Sequence, residues 1–168
     1  DVAISLPMDW QIRGLQIDDF VVKGLHFADL QLDGQSNSDG VIFQLRSPDV
    51  VGSIDLSDDS QLGIDLLSLR LPVSTADEEE NAAAVDPIDI SVGRALPAAK
   101  VFLNELVIGN EPFGRWKFTM TPEQAGVRFD IDDVLVNGLS IQDSAVFWDL
   151  QQNRSAFSGT ARTDDLAT

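Results

Sequence analysis

One fourteen-residue pattern occurs twice in this chain. Gln16–Asp29 reads QIDDFVVKGLHFAD and Asp130–Asp143 reads DIDDVLVNGLSIQD, with seven of fourteen positions identical. The shared residues are Ile17/Ile131, Asp18/Asp132, Asp19/Asp133, Val22/Val136, Gly24/Gly138, Leu25/Leu139 and Asp29/Asp143. In both copies apolar residues lead into a Gly-containing dipeptide and out again, the pattern of a β-hairpin. A weaker version of the first half, LNELVI at Leu103–Ile108, starts 28 residues before Ile131, and the same offset from Ile17 falls on Leu45 in VIFQLRSPDVVGSIDL. A unit of about this length is therefore expected to tile the chain, broken once in the middle. Repeats of this period belong to elongated architectures in which each unit stacks on the next.

Along the chain, alternation with period two dominates: Val41, Phe43, Leu45; Leu62, Ile64, Leu66; Val127, Phe129, Ile131; Leu139, Ile141. Such runs are strands with one apolar face. Turn signals separate them: Lys23-Gly24, Asn37 to Gly40 (NSDG), Ser57 to Ser60 (SDDS) and Asn137-Gly138. The Asp18-Asp19 step interrupts the alternation between Ile17 and Phe20, and Asp132-Asp133 does so between Ile131 and Val134. A β-bulge or bend at each step lets both flanking apolar residues face the same way. The fold class is therefore all-β: an elongated, curled antiparallel sheet of repeated hairpins forming a hydrophobic groove, or a closed β-sandwich in which two apolar faces bury each other. Periodicity alone leaves both open.

The chain divides into a first β-repeat half (1–73), an acidic Ala-rich loop (74–86) and a second β-repeat half (87–168), one continuous domain. The central stretch STADEEENAAAVDP, Ser74 to Pro87, lacks large apolar residues and reads as a loop. After it, AAKVFLNELVI reads better as a strand than as a helix around Pro97 to Leu103. The opening DVAISLP has no initiator Met, basic region or apolar core of a signal peptide, so the sequence reads as a piece of a longer protein.

Eleven basic residues against twenty-eight acidic ones give a net charge of −17. That charge repels a polyanion, and no Lys/Arg cluster offsets it, which argues against nucleic acid as a partner. The absence of cysteine excludes disulfides and thiolate metal sites. No apolar run approaches the roughly 18 residues of a membrane-spanning helix.

Nothing in the sequence assembles a catalytic site. His26 is the only histidine and sits between Leu25 and Phe27, so on a strand it points away from them and reads as a solvated structural residue. Without a second His or any Cys, nucleophilic triads and transition-metal sites lack their parts. The acidic pairs Asp18-Asp19, Asp58-Asp59, Asp132-Asp133 and Asp164-Asp165 and the run Glu78-Glu79-Glu80 do not follow a calcium-loop spacing. They read as solvated faces and bends. Gly109, Gly114 and Gly126 match no phosphate-binding loop. Paired carboxylates of a glycosidase would need aromatic subsites, and three Trp with no Tyr are little to build them from.

Three motifs carry a family resemblance. Leu103–Ile108 fits a strand of type L-x-[IL]-[DN]-[DE]-L-x-[LVI], Gly114–Phe118 fits the glycine-led apolar strand after the turn, and Ser158–Leu166 fits the closing S-G-x-[ALV]-x-[ST]-x-D-L. In this order they resemble the AsmA-like bacterial envelope proteins, particularly the YhdP branch. The resemblance covers Pro87–Leu166 best and departs from the family at the acidic loop Asp77–Glu80. It implies a non-enzymatic segment of a periplasmic, bridge-like protein, anchored in the inner membrane of a Gram-negative envelope, that conducts phospholipids to the outer membrane along an apolar β-groove. Implied partners are phospholipid acyl chains and adjacent segments of the parent chain, with no cofactor, no metal and no catalytic residue. An isolated piece is expected to self-associate through its sheet edges. On this reading the groove is lined by Ile17, Phe20, Val22, Leu25 and Phe27 in the first hairpin and by Phe43 and Leu45 in the next strand. Further along, Leu103, Leu106, Ile108, Phe118, Phe129, Ile131, Val134, Val136, Leu139 and Ile141 continue it. Trp116 and Trp148 are expected to cap the groove and Trp10 to sit at its rim. The competing expectation is a structural or adhesive β-repeat module of the envelope, with a closed core and acidic turns that hold calcium.

Overall fold

The computed structural model describes residues 9–22, 25–37, 40–58, 60–72, 97–152 and 154–163. They form ten strands: β1 (Trp10–Val22), β2 (Leu25–Asn37), β3 (Gly40–Arg46), β4 (Val50–Asp55), β5 (Leu62–Leu71), β6 (Ala99–Ile108), β7 (Glu111–Pro122), β8 (Gly126–Val136), β9 (Leu139–Asp149) and β10 (Arg154–Thr163). All ten belong to one sheet whose spatial order is the chain order. Elements in substantial contact are sheet neighbours, so the sheet neither closes into a barrel nor folds back into two layers. The fold is an open, curled all-β sheet, and a closed sandwich is not formed.

One pairing departs from the expected antiparallel pattern: β5 and β6 run parallel, with Leu66 opposite Leu103 and Leu69 opposite Leu106. Parallel neighbours cannot be joined by a tight turn. This gives a topological reason for the long connection between Leu71 and Ala99. The acidic segment Ser74–Pro87 falls outside the described residues, as do the Lys23-Gly24 turn and the Asp164-Asp165 pair. The strand expected after that segment is β6, starting at Ala99.

The duplicated pattern folds as a duplicated hairpin, β1–β2 and β8–β9. In the first, Ile17 pairs with Leu30 and Asp19 with Ala28; in the second, Ile131 pairs with Ser144 and Asp133 with Gln142. The closing aspartate of each copy, Asp29 (φ 50°) or Asp143 (φ 46°), adopts the left-handed conformation at the skipped position. Aspartate tolerates that conformation better than most residues. The bend therefore spans both strands, with its conformational cost in the closing aspartate and its spacing in the Asp-Asp step. Asn137 (φ 47°) and Gly138 (φ 80°) make the tight turn between β8 and β9, as an Asn-Gly hairpin with two positive φ angles should.

A third bend occurs where LNELVI weakly repeats the motif: the β6–β7 register shifts between Leu103 and Leu106. The expected fourth unit at Leu45 is absent. Strand β3 ends one residue later, where Ser47 Oγ accepts the backbone N–H groups of Asp49 (3.1 Å) and Val50 (3.0 Å) and closes a turn. A serine-proline-aspartate turn has replaced the bend, so the repeat does not tile the chain.

Candidate functional site

The bends shape one face of the sheet. A single strand alternates its side chains between faces, and a one-residue shift in register restores an apolar residue to the same face after two intervening residues. Leu103 and Leu106 on β6, Leu66 and Leu69 on β5, and Ile131 and Val134 on β8 are all separated by three positions and flank such irregularities. Across the strands, Ile64 pairs with Val101, Val101 with Phe118, Phe118 with Ile131, and Phe129 with Val146. The result is an apolar band running perpendicular to the strands.

This band encloses an open trough of about 520 Å³. Its twelve lining residues are Ile64, Leu66, Leu69 and Leu71 of β5, Val101, Leu103 and Leu106 of β6, Trp116 and Phe118 of β7, Phe129 and Ile131 of β8, and Val146 of β9. None carries a charge, hydroxyl or amide side chain. The one polar side-chain atom among them, the Trp116 indole nitrogen, donates to the Phe113 carbonyl at 2.7 Å. Phe118 and Phe129 meet with ring centroids 6.0 Å apart at 60°, a tilted aromatic contact within the wall. On the same face, next along the strands from trough residues, Ala99 and Val127 are fully buried and Val134 is 1% exposed.

On the same strands the alternate residues carry the charge. Arg115 binds Asp133 through Nη2 at 2.6 Å and Nε at 3.0 Å, Lys117 approaches Asp132 at 3.8 Å, and Arg128 donates to Asp130 at 2.7 Å. The repeated aspartates thus sit on the outer face, opposite the trough. His26 is likewise exposed, 3.3 Å from Asp19 of the first copy. At the β4–β5 turn, hydrogen bonds from the Ser57 side chain and backbone hold Asp55 below its ordinary 3.8, and those from Ser60 do the same for Asp58. Among the described residues no three carboxylate or imidazole groups gather as a metal site would need.

The structure distributes the seventeen expected groove residues unevenly. Leu103, Leu106, Phe118, Phe129 and Ile131 line the trough itself. Val134 is buried beside the trough residue Trp116, its partner on β7, and pairs with Ile141 on β9. Ile108 pairs with the trough residue Leu71, while Val136 and Leu139 pair beside the β8–β9 turn, where Leu139 is exposed. The N-terminal members instead join a core that also holds the trough residues Leu66 and Leu103. Phe27 and Leu30 are buried in a cluster with Val50, Leu66 and Leu103, and Ile17, Leu25 and Leu45 pack against it. Phe20 rests on Phe27 at 6.5 Å but stays 40% exposed, and Phe43 packs on Trp10 at 5.8 Å. Val22 pairs with Leu25. The trough is thus confined to β5–β9, and the apolar face of β1–β4 ends it as a filled core.

Trp116 lines the trough rather than capping it. Trp148 pairs with Val127 on β8 and is not among the lining residues. Four lining residues from β5, with Val101 and Val146, were absent from the expected set. Leu62, Ile64 and Leu66 do alternate as a strand, but the break at Leu67-Ser68 carries no Asp-Asp signature, so the return of Leu69 to the same face had no visible marker. Val146 lies in the continuous apolar run VFW, which has no period to assign its face.

Compared with protein-family models, with curated proteins and with solved structures, the chain matches none of them.

Proposed function

We propose that this chain is a lipid-conducting segment of an envelope protein, in which phospholipid acyl chains lie along the trough and head groups project into water. The observation that carries this reading is a trough of about 520 Å³ lined by twelve apolar side chains on an open sheet. The charged residues of the same strands point to the other face. A concave, apolar space of about 520 Å³ falls within the roughly 300–1,000 Å³ of small-ligand sites. Each methylene fully buried against it would gain about 0.8 kcal/mol, and one covered on a single side proportionally less. No polar group in the wall fixes a ligand at one position, so an acyl chain can slide without breaking a directional contact. The missing second sheet leaves room for a head group that cannot be buried.

The resemblance of Leu103–Ile108, Gly114–Phe118 and Ser158–Leu166 to the AsmA-like, YhdP-type pattern supplies the setting. It is a non-catalytic periplasmic bridge in a Gram-negative envelope, with the parent protein anchored in the inner membrane and phospholipid passing to the outer. The rival reading, a calcium-stabilised adhesive module, called for a closed sandwich and acidic turns that gather ligands; among the described residues the sheet is open and no such acidic group gathers.

Fluorescence tests the reading directly. In a Trp10→Phe/Trp148→Phe variant, Trp116 is the remaining tryptophan and reports from the trough wall. Phospholipid brominated on its acyl chains should quench it strongly and saturably, whereas phospholipid carrying the quencher on its head group should quench weakly. No quenching by either, or equal quenching by both, removes the support for the trough as an acyl-chain site.

A further inference from the structure

The two copies of the repeated hairpin have different surroundings. Strand β8 lies between β7 and β9, whereas among the described residues its counterpart β1 has β2 as its sole neighbour. The copies align residue by residue at a constant offset, so what β7 does for β8 states what the edge of β1 lacks among the described residues. Against β8, strand β7 places Trp116 opposite Val134 and Phe118 opposite Ile131 on the trough face, and Arg115 and Lys117 against Asp133 and Asp132 on the outer face. The counterparts on β1 are Phe20 and Ile17 on the one face and Asp19 and Asp18 on the other.

The exposures follow the missing strand. Val134 is 1% exposed under β7, and its counterpart Phe20 is 40% exposed; Leu15, the counterpart of the trough residue Phe129, is 43% exposed. Asp133 is held by Arg115. Asp19 has only a 3.3 Å contact with His26 of β2, both side chains more than 60% exposed, and no Lys or Arg pairs with it among the described residues.

We infer that the β1 edge is a docking site for an antiparallel strand of basic-apolar alternation, of the type Arg-apolar-Lys-apolar that β7 itself displays. The occupant adds main-chain hydrogen bonds along β1, covers Phe20 and Leu15 with its apolar side chains, and sets two cations over Asp18 and Asp19. Exposed strand edges otherwise invite unselective pairing, and the acidic pair gives this edge a charge criterion for its partner. The inference stands on the internal repeat and does not depend on the trough binding lipid.

The probe is a synthetic peptide of the chain's own Glu111–Pro122, EPFGRWKFTMTP, added to the whole chain. Amide hydrogen exchange of β1 should slow saturably with peptide. Arg115→Glu/Lys117→Glu in the peptide should weaken binding about tenfold, as two exposed ion pairs turn into repulsions. Asp18→Lys/Asp19→Lys in the protein should weaken the native peptide similarly and restore the charge-reversed one. Both protein residues are exposed, so the variant keeps its fold; far-ultraviolet circular dichroism checks this. Equal affinity for native and reversed peptides overturns the inference, as does peptide binding without protection of β1. So does a β1 edge already protected without peptide: protection that grows with protein concentration assigns the edge to a second copy.

Discussion

Replacing Ile131 by aspartate separates the trough's role as a binding surface from its role as a core. Ile131 is half-buried, between Phe118 on β7 and Ser144 on β9, and borders the trough. Burying a whole isoleucine side chain is worth roughly 1.5–3 kcal/mol, so the half already covered accounts for about 1 kcal/mol of stability. A further ~1 kcal/mol is available to whatever covers the rest. In the Ile131→Asp variant an acyl chain would forfeit that gain and also strip water from a carboxylate without a partner, adding about 2–3 kcal/mol. The sum, about 3–4 kcal/mol, corresponds to a loss of affinity of roughly 10²- to 10³-fold. In the lipid-free protein the introduced carboxylate faces an open trough and stays hydrated, so the melting temperature should fall by only about 2–5 °C. Thr121→Asp, which adds the same charge at an exposed position on the outer face of β7, is the control and should leave binding intact. The assay is titration of Trp116 fluorescence with acyl-brominated phospholipid, beside a thermal melt. A folded Ile131→Asp variant that is quenched like the parent, or a Thr121→Asp variant that loses as much, refutes the assignment of faces.

Other consequences follow from the backbone and the turns. Gly114 has φ 67°, and a Cβ there would run into the Leu135 carbonyl oxygen, so Gly114→Ala should cost at least about 2 kcal/mol and lower the melting temperature by about 4 °C or more. At the left-handed Asp143, Asp143→Ala should cost about 1 kcal/mol while Asp143→Gly should be nearly neutral in chemical denaturation; equal losses would show that the side chain and not the conformation matters. Asp55 and Asp58 are held below 3.8 by serine hydrogen bonds. Their depressed values mean a contribution present above the unfolded value and lost as pH falls through the folded ones. Side-chain NMR titration should therefore place both midpoints under 3.8, and Ser60→Ala should raise that of Asp58.

Much of this architecture was written in the sequence because its devices are local. The Asn137-Gly138 turn, the alternation along β8 and the Asp-Asp steps each act within a few residues, and each is found in place. The parallel β5–β6 pair was not legible, since alternation along a strand says nothing of the direction of its neighbour. The extent of the trough was not legible either. Phe27 and Phe118 show the same pattern in sequence, yet Phe27 is buried with Leu30 and Val50 while Phe118 stands in an open wall. That difference depends on how the short β3 and β4 bring β2 toward β5, a relation carried by strand lengths and the Ser47 turn. At Leu66-Leu67-Ser68-Leu69 the bend exists without its acidic marker, which is why the β5 wall went unrecognised.

The most direct test of the lipid path is native mass spectrometry of the gently purified chain, followed by extraction and identification of whatever it carries. Bound phospholipid is expected in the parent protein, absent from the folded Ile131→Asp variant and retained by Thr121→Asp. A chain that stays lipid-free after incubation with phospholipid vesicles, or that keeps its lipid when Ile131 becomes aspartate, contradicts the trough as the place where lipid travels.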